Sequence, residues 1–524
     1  MCNLYSAVQA SLRLRSETIV LESGERTWTG RELDAWVGRY ARALASLGLA
    51  PGDRIAVQVE KSAENIALYL AALRIGAIYV PLNTAYVARE IDYFLKDAAP
   101  RICVVAPERL DALKPVAVSA GVEHCLTLGT RGDGSLAELA AAQTREADVV
   151  ARTSADLAVI CYTSGTTGRS KGAMISHGNQ LSNAVTLVEH WGFSANDVLF
   201  HALPLYHVHG LFVALHCALL SGARILLHAK FDVSAALEAF TRATVMMGVP
   251  TFYTRLLADP RVDRDAVRNI RLFVSGSAPL LAETFEQFAA RTGHRILERY
   301  GMTETGMIAS NPLHGERRPG TVGRPLPGID VRITDENGAV LPPGTIGNVE
   351  VKGPNVFHGY WRMPEKTAAE FRADGYFITG DLGRLASDGY LELVGRAKDL
   401  IISGGLNVYP KEIEEAIDAL SGVEESAVFA IPHPDFGEAV AAAVTLRTGA
   451  SLTAESIVAT LRTQLAAFKT PKRVYILDEL PRNAMSKVQK AVLRERYKDA
   501  FGGAVAKNEA PASSSSRPPS SSSR

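Results

Sequence analysis

Ala158-Val159-Ile160-Cys161-Tyr162-Thr163-Ser164-Gly165-Thr166-Thr167-Gly168-Arg169-Ser170-Lys171-Gly172 is the stretch that decides how the rest of the chain is read. Residues 158–162 are apolar and β-prone, the pattern of a buried strand. Directly after it, three glycines within Tyr162–Gly172 let the backbone double back and bring N–H groups close to an anion. The hydroxyls of Thr163, Ser164, Thr166 and Thr167 add donors, and Arg169 and Lys171 add positive charge. Such a loop suits a polyphosphate. It is not the GxxxxGK[ST] loop, because the glycine that pattern requires falls on Ser170. The alternative, a solvated Ser/Gly turn, fits poorly with so long a segment anchored on a buried strand.

On either side of that loop, short apolar runs alternate with amphipathic helical patterns. Arg54–Val59 reads as a strand, Ala63–Leu73 as a helix and Ala77–Pro81 as the next strand, one βαβ step. Further strands are expected at Arg101–Val105, Arg224–His228, Val245–Val249 and Arg271–Val274. The alternation predicts an α/β fold with mostly parallel sheets covered by helices. With 524 residues the chain is too long for one core. The texture changes near Gly395–Lys398, so residues 1–397 are expected to form a large N-terminal domain. Residues 398–502 would then form a small α+β domain, with a helix at Pro410–Leu420 and strands near Ala427–Ile431 and Ala441–Leu446. Residues 503–524, mostly Ser, Pro and Ala, lack the apolar content that offsets ordering entropy and are expected to be disordered.

Composition narrows the function. Lysine plus arginine and aspartate plus glutamate are 56 each, a balance that gives no reason to expect nucleic acid or an anionic membrane as partner. The five cysteines are scattered and never spaced CxxC, which argues for reduced thiols rather than zinc or disulfides. Residues 1–15 lack the apolar core of a secretory signal. The most apolar stretch, Leu211–Leu227, is interrupted by His216, Ser221, Gly222 and Arg224 and makes no clean membrane span. A cytoplasmic location is expected.

Four further motifs follow the loop in order. Tyr300-Gly301-Met302-Thr303-Glu304 joins a strand to a turn, where a carboxylate can hold Mg²⁺ on phosphates. Tyr376-Phe377-Ile378-Thr379-Gly380-Asp381 ends in a carboxylate able to accept two ribose hydroxyls. Gly395-Arg396-Ala397-Lys398-Asp399 precedes the change in texture. Pro481-Arg482-Asn483-Ala484-Met485-Ser486-Lys487 offers an ammonium that could offset charge in a phosphoryl-centred transition state. Alone, each could be ordinary surface: a solvated Glu, a turn Asp, an exposed Arg or Lys.

Together, in this order and over roughly residues 15–498, they resemble the adenylate-forming superfamily of acyl-CoA synthetases, luciferases and peptide-synthetase adenylation domains. The resemblance implies activation of a carboxylic acid by ATP with Mg²⁺, then transfer to coenzyme A. It implies catalytic roles for Lys487, Glu304, Thr166 and His207, with Glu304 on the metal. ATP would be held by Thr163, Ser164, Gly165, Thr167, Gly168 and Lys171, by Ser277, Ala278 and Pro279, and by Glu298, Arg299, Tyr300, Gly301, Met302 and Thr303. Asp381 and Arg396 would bind the ribose, Lys398 would be the hinge, and Ser403, Gly404 and Gly405 would follow it. Where the family has glycine before the catalytic lysine, this chain has Ser486.

Acid specificity should lie between the phosphate loop and residue 310. Tyr206-His207-Val208-His209-Gly210 resembles the family's pocket roof. Pro250-Thr251-Phe252-Tyr253-Thr254-Arg255 and Ser275-Gly276-Ser277-Ala278-Pro279 each follow a strand, the usual rim of an α/β site. A cation there is costly unless the substrate brings a second anion, which points to a dicarboxylate. These segments, with Met307, are similar to those of malonyl-CoA synthetases, and that similarity implies that Arg255 and Ser277 hold the distal carboxylate of malonate; the alternative is that Arg255 is exposed on the first helical turn after Pro250. His207, Val208 and Met307 would border the rest of the acid, and methylmalonate would be a weaker substrate. Rival readings are a synthetase for another short acid, an enzyme that loads a carrier protein, and a nucleotide-binding regulator without chemistry.

Overall fold

The computed structural model describes residues 3–163, 170–403, 406–483 and 487–501. The chain divides into two compact units, Met1–Lys398 and Asp399–Arg524. Among the described residues no helix is long and apolar enough to cross a membrane.

In the first unit, the strands Ile102–Val105, Arg54–Gln58, Ile78–Pro81 and Leu157–Thr163 are successive parallel neighbours in a six-stranded sheet. Helix Ala63–Arg74 makes the crossover between two of them, and all of its residues are buried. A helix apolar on nearly every face belongs inside a protein. Most of its few polar groups are matched, with Glu64 Oε2 the exception. Ser62 Oγ caps Asn65 N–H, Asn65 Oδ1 accepts from Tyr79 at 2.7 Å, and Arg74 pairs with Asp34 at 2.9 Å and Glu146 at 3.1 Å.

A second, nine-stranded sheet carries Val198–His201, Arg224–Leu227, Val245–Gly248 and Leu272–Ser275 in parallel. Its register aligns His201 with Leu227 and Gly248 with Ser275, so the following loops leave from one edge. Phe200, Phe240, Phe273 and Phe288 pack edge to face behind it, with centroids 5.0–5.9 Å apart.

Beyond residue 297 the alternation of strands and helices stops. Leu297–Met302 turns back through Gly306–Ser310, and Asp330–Thr334, Gly347–Lys352, Phe377–Leu385 and Leu391–Arg396 form a wholly antiparallel four-stranded sheet. The expectation of mostly parallel sheets therefore holds for the first three hundred residues and gives way to hairpins in the next hundred. Turns such as that at Gly389, φ +86°, connect strands too closely for crossover helices.

In the second unit, helix Pro410–Asp418 packs on a sheet built around the hairpin Val423–His433 and Gly437–Leu446, with Arg473–Ile476 parallel to it. Ile401, Ile413, Ile417, Val428, Val440 and Leu461 form part of its own core.

Candidate functional site

The phosphate-loop candidate is held by a hairpin. Leu157–Thr163 pairs antiparallel with Lys171–Ser176, with Thr163 opposite Lys171. Ser164, Gly165, Thr166, Thr167 and Gly168 lie outside the described residues. At the loop's exit, Lys171 Nζ is 3.0 Å from Glu370 Oε1 and 4.0 Å from the centroid of the Tyr360 ring.

Glu304 stands where Leu297–Met302 turns towards Gly306–Ser310. The turn is tight: a side chain at Gly301 would put its Cβ 2.1 Å from the carbonyl oxygen of Gly306. Asn183 clamps the far side, donating to Met307 O and accepting from Met307 N–H, both at 2.9 Å. Met302 and Thr303 are half-buried between them. The carboxyl of Glu304 is buried, and burial raises its pKa against the opposing pull of the Tyr360 hydroxyl at 3.0 Å, Lys171 and Arg396. A buried oxygen donor short of positive charge suits a hard divalent cation. Among the described residues no group of three or more His, Cys, Asp or Glu side chains gathers as a metal cage. The residues present fit a cation held largely by nucleotide phosphates plus one carboxylate.

Asp381 lies opposite Arg396 across the antiparallel pair Phe377–Leu385 and Leu391–Arg396. Arg396 Nε is 2.7 Å from Asp381 Oδ1, the Tyr300 hydroxyl donates to Oδ2, and Asp381 N–H donates to Thr379 Oγ1 at 3.1 Å. Burial, and then the adjoining Asp381 charge, push the Tyr300 phenol well up, so it stays a neutral donor. The three motifs that carry Tyr300, Asp381 and Arg396 thus meet in one cluster. Lys398 follows on the exposed turn Ala397–Asp399.

The rim of the nine-stranded sheet supplies the other residues. His207 Nδ1 accepts from His209 N–H at 3.3 Å, and Val208 and Met307 are buried. Ser277 takes a left-handed backbone, φ +73°, although it is not glycine, and its Oγ lies 3.2 Å from His209 Nδ1. Backbone strain of this kind gathers at functional sites. Ala278 is half-buried and Pro279 exposed. Glu298 Oε1 accepts from Leu280 N–H at 3.0 Å. Arg255 is exposed on helix Pro250–Ala258.

Arg299 contrasts with it. It is 3% exposed, and its Nε and Nη2 are buried with no hydrogen-bond partner, as is Ser275 Oγ. The guanidinium lies against Gly276, where a Cβ would come within 2.4 Å of Cζ. Burial depresses its pKa to about 10, with Tyr253, Glu298 and Cys217 pulling the other way. Sequence reasoning named Arg299 among nucleotide residues and Arg255 as the acid clamp. Only burial separates the two, and a lone Arg in a strand gives no signal of it.

In the second unit, Lys487 is exposed: its N–H donates to Asn483 Oδ1 at 3.0 Å, and its carbonyl accepts from Asn483 N–H at 2.9 Å. Arg482 pairs with Glu425, and Lys490, at the start of helix Lys490–Tyr497, pairs with Glu414. Ser403 is buried at the end of Ile401–Ser403, and Gly404 and Gly405 lie outside the described residues.

The phosphate-loop hairpin, the buried carboxylate and the Tyr300–Asp381–Arg396 cluster go together with the match of residues 8–361 to the AMP-binding enzyme family. Residues 412–487 match the C-terminal domain of AMP-binding enzymes. The chain belongs to that family and is an AMP-forming acyl-CoA ligase. Among solved structures it is similar to ATP-bound MatB from Rhodopseudomonas palustris: TM-score 0.93, 52% identity, covering 95% of this chain and 99% of that one. Curated relatives include malonate–CoA ligase of Arabidopsis thaliana, 34% identical over 87% of this chain and 80% of that protein. Feruloyl-CoA synthase of an Amycolatopsis species is also 34% identical, over 93% and 97%.

Proposed function

We propose that the chain ligates malonate, and more slowly methylmalonate, to coenzyme A. A carboxylate oxygen of malonate attacks the α-phosphorus of ATP, the bond to the bridging oxygen breaks, and pyrophosphate leaves. The sulfur of coenzyme A then adds to the malonyl carbonyl, and AMP departs with the oxygen it gained. Lys487 offsets the charge that develops in the first step. Asp381 and Arg396 hold the ribose, and Glu304 holds Mg²⁺, which when bound neutralises the phosphates. Small-molecule substrates suffice, with no nucleic acid, membrane or protein partner required, in the cytoplasm.

One observation carries the choice of acid: the buried guanidinium of Arg299, whose Nε and Nη2 have no hydrogen-bond partner. Buried polar groups are nearly always satisfied, and a buried cation short of hydrogen-bond partners is costly. A second carboxylate gripped by Arg299 would satisfy both nitrogens. Arg299 therefore replaces the exposed Arg255 as the proposed clamp. The similarity to feruloyl-CoA synthase favours an aromatic acid, but a hydroxycinnamate would bring no anion to Arg299. Val208 and Met307 leave an apolar border that suits one methylene and tolerates a methyl branch, since a methylene is worth only about 1–3 kcal/mol of discrimination. The test is CoA-dependent AMP formation with malonate, methylmalonate, succinate, acetate and ferulate. Malonate should lead and methylmalonate follow; a lead for acetate or ferulate overturns the proposal.

A further inference from the structure

Glu304 is not held by the turn alone. The Tyr360 hydroxyl stands between two carboxylates, 3.0 Å from Glu304 Oε1 and 2.7 Å from Glu370 Oε2. It carries one proton, so it donates to only one of them at a time. Glu370 has other partners: Lys171 at 3.0 Å and Lys366 at 2.8 Å both reach its Oε1. The shorter contact is to Glu370, whose charge the two lysines already meet, so the hydroxyl is shared between the two carboxylates.

Tyr360 is itself fixed. It is 2% exposed, its ring meets Phe357 edge-on with centroids 4.9 Å apart, and its N–H donates to Thr367 Oγ1 at 2.9 Å. The end torsion of a glutamate is soft and twofold, so a carboxylate without a fixed hydrogen bond samples many orientations. A hydroxyl anchored on Oε1 removes that freedom and leaves Oε2 as the oxygen presented for coordination. The same ring lies under Lys171, so the end of the phosphate loop and the carboxylate share one anchor.

We propose that Tyr360, backed by Glu370, is a positioning residue that orients Glu304 towards the divalent cation of the nucleotide. The proposal rests on the reading of Glu304 as the metal-holding carboxylate. Neither Tyr360 nor Glu370 belongs to a motif that the sequence singles out. They reach the site through packing of the Val356–Glu370 segment, far from Glu304 in the chain.

Tyr360→Phe keeps the ring, and with it the contacts to Phe357 and Lys171, and deletes only the hydroxyl. The measurement is the Mg²⁺ concentration that half-saturates binding of a non-hydrolysable ATP analogue, followed by calorimetry on the full chain. Ligands of metal ligands typically govern affinity by roughly 10–100-fold. Tyr360→Phe should raise the half-saturating Mg²⁺ by about that factor while binding of the analogue in EDTA is unchanged. Glu370→Gln should shift it in the same direction, which keeps the proposal testable should the phenylalanine variant fold poorly. Glu304→Gln is the reference and should shift it at least as far. A shift for Glu304→Gln with none for Tyr360→Phe and Glu370→Gln overturns the positioning role. No shift for any of the three overturns the underlying reading of Glu304 as well.

Discussion

Replacing Arg299 by leucine separates an acid clamp from a structural cation. In the folded protein, burial lowers the guanidinium from its ordinary value of 12.5 to about 10. That lowering corresponds to roughly 3 kcal/mol of unfavourable charge burial. The sign follows: the unfolded chain binds the proton more tightly, so the cost is complete below about pH 10 and falls away only above it. Arg299→Leu removes that cost and forfeits some packing, so the melting temperature should hold or rise. The clamp function should be lost. Removing one partner of a desolvated charge pair costs roughly 2–5 kcal/mol. At about 1.4 kcal/mol per decade this is a fall of roughly thirty- to several-thousand-fold in kcat/KM for malonate. Acetate, which brings no second carboxylate, should be used as before or better. Arg255→Leu, an exposed change, should move both acids by less than about threefold, the scale of ±0.5 kcal/mol for surface substitutions. Equal loss of malonate and acetate turnover in Arg299→Leu, or loss of malonate turnover confined to Arg255→Leu, would refute the assignment.

Lys487→Ala should slow adenylation by roughly 10²–10⁴ while conversion of synthetic malonyl-AMP and coenzyme A stays near the wild-type rate; loss of the thioester step in a folded variant counts against the role given to this lysine. Ser486→Gly, its companion, should be neutral or slightly activating. Lys398→Pro, which fixes φ near about −65°, should still release pyrophosphate in a single turnover yet stall before the thioester, and normal steady-state thioester production would rule out a pivot there. Acid should weaken the fold through His177, whose Nδ1 accepts from Leu4 N–H at 3.2 Å and whose pKa burial lowers to about 4. The unfolded chain protonates first, so stability should fall as pH drops from about 6.5 to about 4, and His177→Gln should flatten that part of a urea-unfolding profile.

Elements written in local pattern were legible from residues alone. The helix read at Ala63–Leu73 is Ala63–Arg74, and the strand read at Val245–Val249 is Val245–Gly248, because apolar runs bounded by caps and turns need no distant partner. Asp381 and Arg396 were read from separate motifs, and strand register brings them to 2.7 Å. The antiparallel sheet of residues 330–396 was not legible, since half-exposed hairpin strands such as Asp330–Thr334 lack the continuous apolar runs that mark buried parallel strands. Nor was Tyr360. It belongs to none of the motifs read from the sequence, and its hydroxyl gains meaning only from Glu304, fifty-six residues away. Arg299 and Arg255 are alike as letters, and tertiary burial alone tells them apart.

The most direct test of the account uses malonate labelled with ¹⁸O in both carboxylates, turned over with ATP and coenzyme A, with the products weighed by mass spectrometry. Attack of the acid on the α-phosphorus, followed by thioester formation, transfers one acid oxygen to AMP. The account predicts AMP carrying one ¹⁸O, unlabelled pyrophosphate, and malonyl-CoA formed in equal amount. Label in orthophosphate with release of ADP, or malonyl-CoA formed alongside unlabelled AMP, would contradict it.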